Sequence, residues 1–367
     1  MTPQIDRRRV IAYRVAAQQL TGVEAAPPDP SGLAVLDLGV PDVPYGSAVQ
    51  ALSARTSAPP RSGDLALVWS VRGAPHLHRR PDLGRLASAL WPLSDADARA
   101  RLPFAQIKEG ARMGTAAFTV TAEALREVVT EPMPKGEVSR RVSARVPEPL
   151  TYWCRGCQAQ HISGGLFQQA GLAGGVQLVP KAPSITLAPI ENRPAVPERA
   201  EGTDRLIMAY LRLLGPAAPA EVARYLGTTQ TALRAAWPEG LAEVRVEGRR
   251  TWLPEDAVPA LLSAPEPRLV RLVPPSDPYL QARDRALLVP DEDRRKAVWR
   301  ILGNPGALVV DGEIEGIWRA RAAGRRLDVT VAPFDPLPTR TKAKVHREAE
   351  RVAAVRGCAE VRVEYDE

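Results

Sequence analysis

The sequence of 367 residues contains only three cysteines and no long apolar segment. Three cysteines are too few for a disulfide-stabilised scaffold of this length. No run of about 18 apolar residues is present, so we expect no transmembrane helix. The N-terminus, MTPQIDRRRVIAYRV, is charged and lacks the apolar core of a secretory signal. These absences predict a soluble, cytoplasmic protein in a reducing compartment.

Lysine is also scarce and accounts for only six of the 49 basic residues. The formal net charge of +7 favours a polyanionic partner such as nucleic acid. The abundance of alanine, arginine and proline is nevertheless typical of a G+C-rich coding bias, which enriches arginine in any protein. The charge by itself therefore indicates DNA only weakly. The hydrophobic content of 45% supports a packed core, and the length allows two or three domains.

Residues 203–254 have the pattern of a winged helix. Three helical runs, DRLIMAYLRLL, PAEVARYL and TTQTALRAAW, precede two strands, AEVRV and RRTWL. Gly215 and Gly227 are placed to end the first two helices, and Thr228 is placed to cap the third. A unit of this kind can lay its third helix in a groove of DNA.

Contact of this unit with DNA is a hypothesis, because many winged helices only pack against a neighbouring domain. The third helix offers Arg234, and the strand pair offers Arg245, Arg249 and Arg250. We predict that these four arginines contact the DNA backbone.

The rest of the chain predicts an α+β fold of tandem winged helices with a C-terminal β-rich, barrel-like module. In the last module, Asp311-Gly312 between two apolar runs predicts a β-hairpin. The predicted segments are a helical or winged-helix region (1–130), a winged-helix-like unit with a Cys-bearing insertion (131–180), a Pro-rich linker (181–202), the winged helix (203–262) and the C-terminal module (263–367).

The insertion carries a candidate metal site at Cys154, Cys157 and His161. A C-x-x-C pair is a common zinc half-site, and a neutral histidine can add a third ligand. No second C-x-x-C completes a four-ligand set, and the two cysteines alternatively act as small apolar residues around a turn. Zinc is the one metal that we consider for this chain.

An ordered set of motifs resembles the tandem winged-helix DNA glycosylases typified by AlkZ and YcaQ. Members of that family remove or unhook bulky or crosslinked alkylated purines. The resemblance implies a monomer that acts on double-stranded DNA and requires no cofactor. The motifs are YRVAAQ, DLGVPDVPYGSAVQALSAR, VWSVRGAPHLH, SDPYLQARDR, ALVVDGEIEGIWR and LDVTVAPFDPLP.

The family's catalytic motif, Gln-x-Gln or Gln-x-Asp followed by a Pro-containing stretch and a Tyr, matches Asp37-Leu38-Gly39 and the run to Tyr45. Asp37 stands where the first Gln stands, and Gly39 cannot position a water molecule. Either Asp37 or Asp42 supplies the carboxylate that orients the water and stabilises an oxocarbenium-like sugar, or this branch has lost the activity. As the alternative, both are ordinary loop or turn aspartates.

The resemblance also implies a role for the run Arg72-Gly-Ala-Pro-His76 and for His78. We expect His76 at the catalytic site, and Arg72 and His78 against a phosphate or an extruded nucleotide. The alternative is a surface arginine beside packed loop histidines.

The leading functional hypothesis is a DNA glycosylase that excises alkylated or crosslinked bases by hydrolysing the N-glycosidic bond. The alternatives are a non-catalytic DNA-binding protein, such as a transcription regulator, and a scaffold that has lost both activities. In each case we expect a cytoplasmic protein, associated with the nucleoid where it binds DNA, and no membrane partner.

Overall fold

The computed structural model describes residues 2–21, 29–58, 63–102, 105–181 and 184–366. Within these ranges the chain forms 15 α-helices and four β-sheets. The α+β class expected from the sequence is therefore confirmed. No helix of the described residues is long and apolar enough to span a membrane.

The helices range from four to 17 residues, and the longest lies near the C-terminus. They are α1 (Arg7–Ala17), α2 (Ser47–Ser53), α3 (Leu83–Ala89), α4 (Asp95–Arg101), α5 (Lys108–Ala111), α6 (Thr115–Val128), α7 (Lys135–Ser143), α8 (Gly164–Gln169), α9 (Thr203–Leu214), α10 (Pro219–Leu226), α11 (Gln230–Leu233), α12 (Val258–Ser263), α13 (Arg285–Leu288), α14 (Glu292–Val298) and α15 (Thr339–Val355).

The strands form sheets of three, five, six and two strands, in the orders β1-β10-β11, β12-β13-β14-β15-β16, β2-β4-β3-β8-β9-β5 and β6-β7. They are β1 (Gln4–Ile5), β2 (Val40–Pro41), β3 (Leu65–Trp69), β4 (Pro75–Arg79), β5 (Met133–Pro134), β6 (Thr151–Cys154), β7 (Ala159–Ile162), β8 (Val176–Lys181), β9 (Ser184–Pro189), β10 (Leu241–Val246), β11 (Arg249–Pro254), β12 (Val270–Val273), β13 (Gly306–Val310), β14 (Glu313–Ala323), β15 (Arg326–Pro333) and β16 (Glu360–Tyr365).

The six-stranded sheet crosses the predicted boundary at residue 130, because β2, β3 and β4 precede it and β5, β8 and β9 follow it. Strand β9 also occupies residues 184–189 of the segment 181–202, where the prolines favoured a linker. Residues 182 and 183 of that segment, including Pro183, lie outside the described residues. Residues 190–202 contain neither helix nor strand. Cross-strand pairing thus decided the structure of 184–189 against the local composition.

One element order occurs twice in the chain. The second copy consists, in chain order, of α9, Ala217, α10, α11 and the hairpin β10-β11. Ala217 forms a bridge to Trp252 of β11. The first copy is α6, β5 paired with β9, α7, α8 and the hairpin β8-β9. The hairpin β6-β7 is inserted between α7 and α8 of the first copy. A tandem pair of related units is what the sequence predicted, although the first copy extends beyond residues 131–180 on both sides.

Local signals in the second copy work largely as expected. Gly227 has φ +74°, and Glu247 and Gly248 at the hairpin turn have φ +47° and +76°, so glycine satisfies a left-handed position at both places. The predicted N-cap of α11, Thr228, is corrected by the structure. The cap is Thr229, whose side chain accepts a hydrogen bond from the backbone N–H of Ala232. Thr228 donates its hydroxyl to Asp97 instead.

Helix α9 lies in the largest apolar core of the described residues. Its apolar stripe is buried in a core that also contains Val15 of α1, Val68 of β3 and Val273 of β12. Because these residues come from distant parts of the chain, this core joins the N-terminal and C-terminal segments. The stripe consists of Leu206, Ile207, Tyr210, Leu211 and Leu214.

The C-terminal sheet is an open sheet and not a barrel, since β12 and β16 lie at its two edges in the described part of the chain. The predicted hairpin at Asp311-Gly312 joins β13 and β14. Helix α15 covers one face of the sheet and buries Val345, Ala349 and Val352 against it. One helix thus closes the core that a barrel would enclose, which corrects the barrel-like description.

Two buried arginine–carboxylate pairs connect the N-terminal helices to residues 277–284. Arg55, at the end of α2, donates two hydrogen bonds of 2.8 and 2.9 Å to Asp277, and both side chains are fully buried. Arg14 of α1 likewise donates two bonds, of 2.6 and 3.0 Å, to Asp284. Bidentate pairs of this kind fix orientation as well as distance. Both aspartates of the motif SDPYLQARDR therefore pair with arginines of the N-terminal segment.

We expect the variant Asp277→Asn to lower the free energy of unfolding by about 3–5 kcal/mol, because it leaves the Arg55 guanidinium buried without a counter-charge. Urea unfolding followed by circular dichroism measures this change. The matched control is Asp328→Asn, whose carboxylate pairs with Arg326 on the surface. Equal, small effects of the two variants would contradict a dominant role for the buried pair.

Candidate active site and nucleic-acid interface

An open cleft of about 990 Å³ lies between α3 and α9. Its volume is at the upper end of the range of about 300–1,000 Å³ found for ligand sites. Of the residues predicted for the active site, Asp37 and His78 line it together. Three arginines, Arg85, Arg205 and Arg212, and three further carboxylates also line its walls; the carboxylates are those of Asp82, Glu201 and Asp204. Arg85 pairs with Asp82, and Arg212 pairs with Asp256. The cleft therefore carries both carboxylates and arginines.

Asp37 ends a short 3-10 turn, Ala34–Asp37, that begins the wall of this cleft. Its side chain is 48% exposed, and its Oδ1 accepts a hydrogen bond of 2.7 Å from Nη1 of Arg79. Its Oδ2 makes no hydrogen bond within the described part of the chain. The carboxylate is thus held at one oxygen and open to solvent at the other.

Arg79 holds the backbone that leads into this turn as well as the aspartate at its end. Its Nε donates to the carbonyl of Ser31, and its Nη2 donates to the carbonyl of Leu33. It lies at the end of β4, directly after His78. Sequence reasoning missed this residue, although a basic pair that follows the strand PHLH is a signal that could have drawn attention to it.

The imidazole of His78 lies where a side chain at position 39 would be. A Cβ atom at Gly39 would lie 2.2 Å from Cε1 and Nε2 of the His78 ring, and the glycine has φ +77°. Nε2 of His78 also lies 2.9 Å from the hydroxyl oxygen of Ser70. The imidazole therefore takes the volume that a side chain at position 39 would occupy, and the glycine is required by sterics as well as by backbone conformation.

Both histidines of β4 are buried and neutral at physiological pH. Burial, opposed by a hydrogen bond with the carbonyl of Ala74, lowers the pKa of His76 to about 4. Burial lowers the pKa of His78 well below its ordinary value, and the nearby His76 and Arg79 act in the same direction. Neither imidazole can therefore attract a phosphate by charge. His76 is not among the residues that line the cleft.

Asp42 serves a local structural purpose. Its carboxylate accepts a hydrogen bond of 2.9 Å from the backbone N–H of Ala48 and so caps α2. Burial raises its pKa, while the backbone hydrogen bonds oppose the rise. It is not among the residues that line the cleft. This geometry matches the alternative of an ordinary turn aspartate.

Arg72 has a left-handed backbone conformation, with φ +58°. Its side chain packs against Gly227, where a Cβ atom would lie 2.5 Å from Cγ of Arg72. Burial first, and then the cation of Arg285, lower the pKa of Arg72. A second cavity, of about 200 Å³, is lined by Arg72, Arg283 and Arg285 together with Trp299. No carboxylate of the described residues lines this cavity. We call it the arginine pocket.

Arg283 is the most constrained member of the arginine pocket. Its Nε and Nη2 atoms are buried and have no hydrogen-bond partner among the described residues. Burial first, and then the cation of Arg72, lower its pKa to about 10. Its guanidinium lies over the ring of Tyr225, 5.7 Å from the centroid. Buried donors without acceptors are costly, and an anion in the arginine pocket would satisfy them.

The arginines predicted on the second copy are exposed, but two of them are paired. Arg249 donates to Glu221, and Arg250 donates to Glu243 and lies over the ring of Trp252. Arg234 and Arg245 are also exposed. To bind a DNA phosphate, each paired arginine must first give up its ion pair with a carboxylate. This exchange reduces the free energy gained on DNA binding.

Cys154, Cys157 and His161 lie together on the inserted hairpin β6-β7 and are not among the residues that line the cleft. Their sulfur and ring-nitrogen ligand atoms all lie within 4.8 Å of one another. The structure thus brings these predicted residues together at a place separate from Asp37.

In its fold the chain is similar to a DNA glycosylase of known structure. Streptomyces sahachiroi DNA glycosylase AlkZ matches it with a TM-score of 0.73 at 23% identity, over 99% of this chain and 100% of that one. A family model described as DNA glycosylase AlkZ-like matches residues 51–355. The chain therefore belongs to the AlkZ-like DNA glycosylase family, as its motifs indicated. No curated protein matches it in sequence. The family match begins after Asp37 and Gly39, so the roles of those two residues depend on their geometry alone.

We expect Gly39→Ala to lower the free energy of unfolding by about 2–4 kcal/mol, from left-handed strain and from overlap with the His78 ring. Thermal and urea unfolding measure the loss. In a His78→Ala background the overlap disappears, and the cost should fall to about 1–2 kcal/mol, the strain alone. Strict additivity of the two substitutions would mean that the ring and position 39 do not share their space.

Proposed function

We propose that this protein is a DNA glycosylase that excises alkylated or crosslinked bases from double-stranded DNA by hydrolysing the N-glycosidic bond. The observation that carries the proposal is the carboxylate of Asp37 on the wall of a nucleotide-sized cleft, held by Arg79 at one oxygen and open at the other. Membership of the AlkZ-like family supports the reaction class.

Hydrolysis of the N-glycosidic bond requires few catalytic groups when the base is alkylated. A cationic base leaves with the electrons of the C1′–N bond and becomes neutral, while the oxygen of a water molecule bonds to C1′. The free oxygen of Asp37 orients that water, accepts its proton and stabilises the positive charge that develops on the sugar. The proton then passes to solvent. The reaction consumes only water, which supports an enzyme without a cofactor.

His78 compensates for the missing polar side chain at position 39. The ring lies in the space of that side chain, lines the same cleft as Asp37 and is neutral at physiological pH. Nε2 of the ring is engaged with the Ser70 hydroxyl, so Nδ1 is the nitrogen that would hold a water molecule. In this proposal His78 is a positioning residue, and Asp37 is the catalytic one.

The two repeated units and the arginine pocket would hold the duplex. We propose that both units are winged helices, that the second contacts the DNA backbone through Arg234, Arg245, Arg249 and Arg250, and that the arginine pocket takes one DNA phosphate. The pocket supports this because its buried guanidinium donors lack acceptors. We further propose that the enzyme acts as a monomer in the cytoplasm, at the nucleoid.

We expect Asp37→Asn to slow release of 7-alkylguanine from duplex DNA by about 10²–10⁴-fold, because the amide cannot accept the proton of water. Single-turnover incubation followed by alkaline cleavage of abasic sites measures the rate. The matched control, Asp328→Asn, removes a surface carboxylate from the C-terminal sheet and should retain the wild-type rate.

Two further variants assign the roles within the cleft. His78→Gln should slow release while leaving the affinity for the duplex unchanged, since the residue orients water and does not bind phosphate. Folded Asp42→Asn should release base normally. Loss of release in Asp42→Asn with a normal rate in Asp37→Asn would move the catalytic carboxylate to Asp42.

We expect Arg283→Ala to weaken binding to an undamaged duplex about tenfold, whatever the sequence, because one charge-assisted phosphate contact is lost. The slope of log affinity against log salt concentration should decrease by about 0.9. Fluorescence anisotropy over a series of salt concentrations measures both quantities.

The control for this measurement is Arg362→Ala, which removes an exposed arginine that pairs with Glu364 on β16. Its affinity and salt slope should equal those of the wild type. An unchanged salt slope in Arg283→Ala would remove the arginine pocket from the DNA interface without touching the assignment of Asp37.

A non-catalytic DNA-binding protein, such as a transcription regulator, is the second candidate. It is favoured by Gly39, which replaces a polar residue of the catalytic motif, and by the engagement of Asp37 with Arg79. This reading predicts tight, sequence-preferring binding to undamaged DNA and no base release from any alkylated duplex. The assays above separate it from the glycosylase.

A further inference from the structure

We propose that the inserted hairpin β6-β7 binds a single Zn²⁺ ion through Cys154, Cys157 and His161. This site is separate from the cleft of Asp37, and the proposal does not depend on the glycosylase activity. It gives a chemical role to a segment that the catalytic proposal does not use.

The geometry of the hairpin gathers the three ligands on one side. Cys154 pairs with Ala159, and Tyr152 pairs with His161, in the antiparallel register. Side chains alternate along a strand, so Cys154 and His161 project from the same face. Cys157 lies in the turn that connects the strands, which brings its sulfur to that face. All three ligand atoms lie within 4.8 Å of one another.

The imidazole of His161 lacks a partner. Its Nε2 atom is buried, although the ring as a whole is partly exposed, and it has no hydrogen-bond partner among the described residues. Buried polar atoms are normally satisfied, and each exception in a folded protein requires an explanation. A metal ion bound to this nitrogen supplies the missing partner.

Both cysteines would bind the ion as thiolates, because the metal requires the deprotonated form of the ligand. Each of the two thiols therefore releases its proton to solvent when the ion binds.

The donor set selects zinc. Two thiolates and one imidazole match the ligands of protein Zn²⁺ sites, whereas Mg²⁺ and Ca²⁺ require oxygen. Among the described residues no fourth His, Cys, Asp or Glu joins the group. A water molecule therefore completes the tetrahedron, and the two thiolates neutralise the charge of the ion.

A bound metal ion would stabilise the tip of the hairpin, which has few other contacts that hold it in place. Its base is held by hydrogen bonds from Ile162 N–H to the Ser143 hydroxyl and from Ser163 N–H to the Leu150 carbonyl. Residues 155–158 at the tip are all exposed, so packing contributes little there. A metal that links the turn to both strands replaces the missing core, as in other small elements.

The test is metal binding by the full-length protein, purified and kept reduced. Elemental analysis after gel filtration should find about one zinc ion per chain, and Co²⁺ exchange should produce thiolate-to-cobalt charge-transfer absorption with tetrahedral d–d bands. Cys154→Ser and Cys157→Ser should lose the charge-transfer absorption and the bound zinc. His161→Gln should lose zinc during gel filtration.

The matched control is Cys358→Ser, which removes the remaining free cysteine and should bind metal as the wild type does. The proposal is overturned if reduced wild type binds neither Zn²⁺ nor Co²⁺, or if Cys358→Ser loses metal as Cys154→Ser does. A Cys154–Cys157 disulfide that persists under reducing conditions, seen as one free thiol instead of three, also overturns it. The wild-type cobalt spectrum needs no variant, so misfolding of a substituted chain leaves the test intact.

Discussion

The buried pairing of Arg14 with Asp284, and of Arg55 with Asp277, is the constraint on which the arrangement of this protein depends. Both pairs are bidentate and join helices near the N-terminus to a segment more than two hundred residues later. A buried charge without its partner is strongly unfavourable, so these segments must meet in one orientation. That orientation places α1 against α9, while α2 lies against α15.

The same pairing shapes the arginine pocket. Asp284 faces Arg14, so its charge is engaged on that side, while Arg283 projects toward Arg72 and lacks a carboxylate partner. Three guanidinium groups then share a small cavity. Mutual repulsion of this kind persists in a folded protein when the surrounding structure holds it in place, and an anionic ligand relieves it.

The cleft shows how a departure from a family motif can be accommodated. Gly39 lacks a polar side chain, but its absence admits the His78 ring into the same space. Arg79, the next residue, holds both the backbone and the carboxylate of the turn that ends at Asp37. Two neighbouring residues of one strand thus support a turn distant in sequence. Asp42, which has the same charge as Asp37, is occupied in capping a helix.

Local sequence patterns were enough to predict the elements whose cause is local. The helical run of α9 follows from the period of 3.6 residues, and the turns at Gly227 and Asp311-Gly312 follow from the need for positive φ. The Cys-x-x-Cys turn was also visible, since its ligands lie within eight positions of one another. None of these features requires a distant partner.

Only the tertiary structure decided which residues meet across the chain. It made a strand of residues 184–189 by pairing them with β5 and β8, and it left the C-terminal sheet open beneath α15. It joined Arg79 to Asp37, His78 to Gly39 and Arg283 to Arg72, three relations on which the proposed site depends. The physical reason is that hydrogen bonds, ion pairs and steric overlap act through space, over distances that sequence order does not encode.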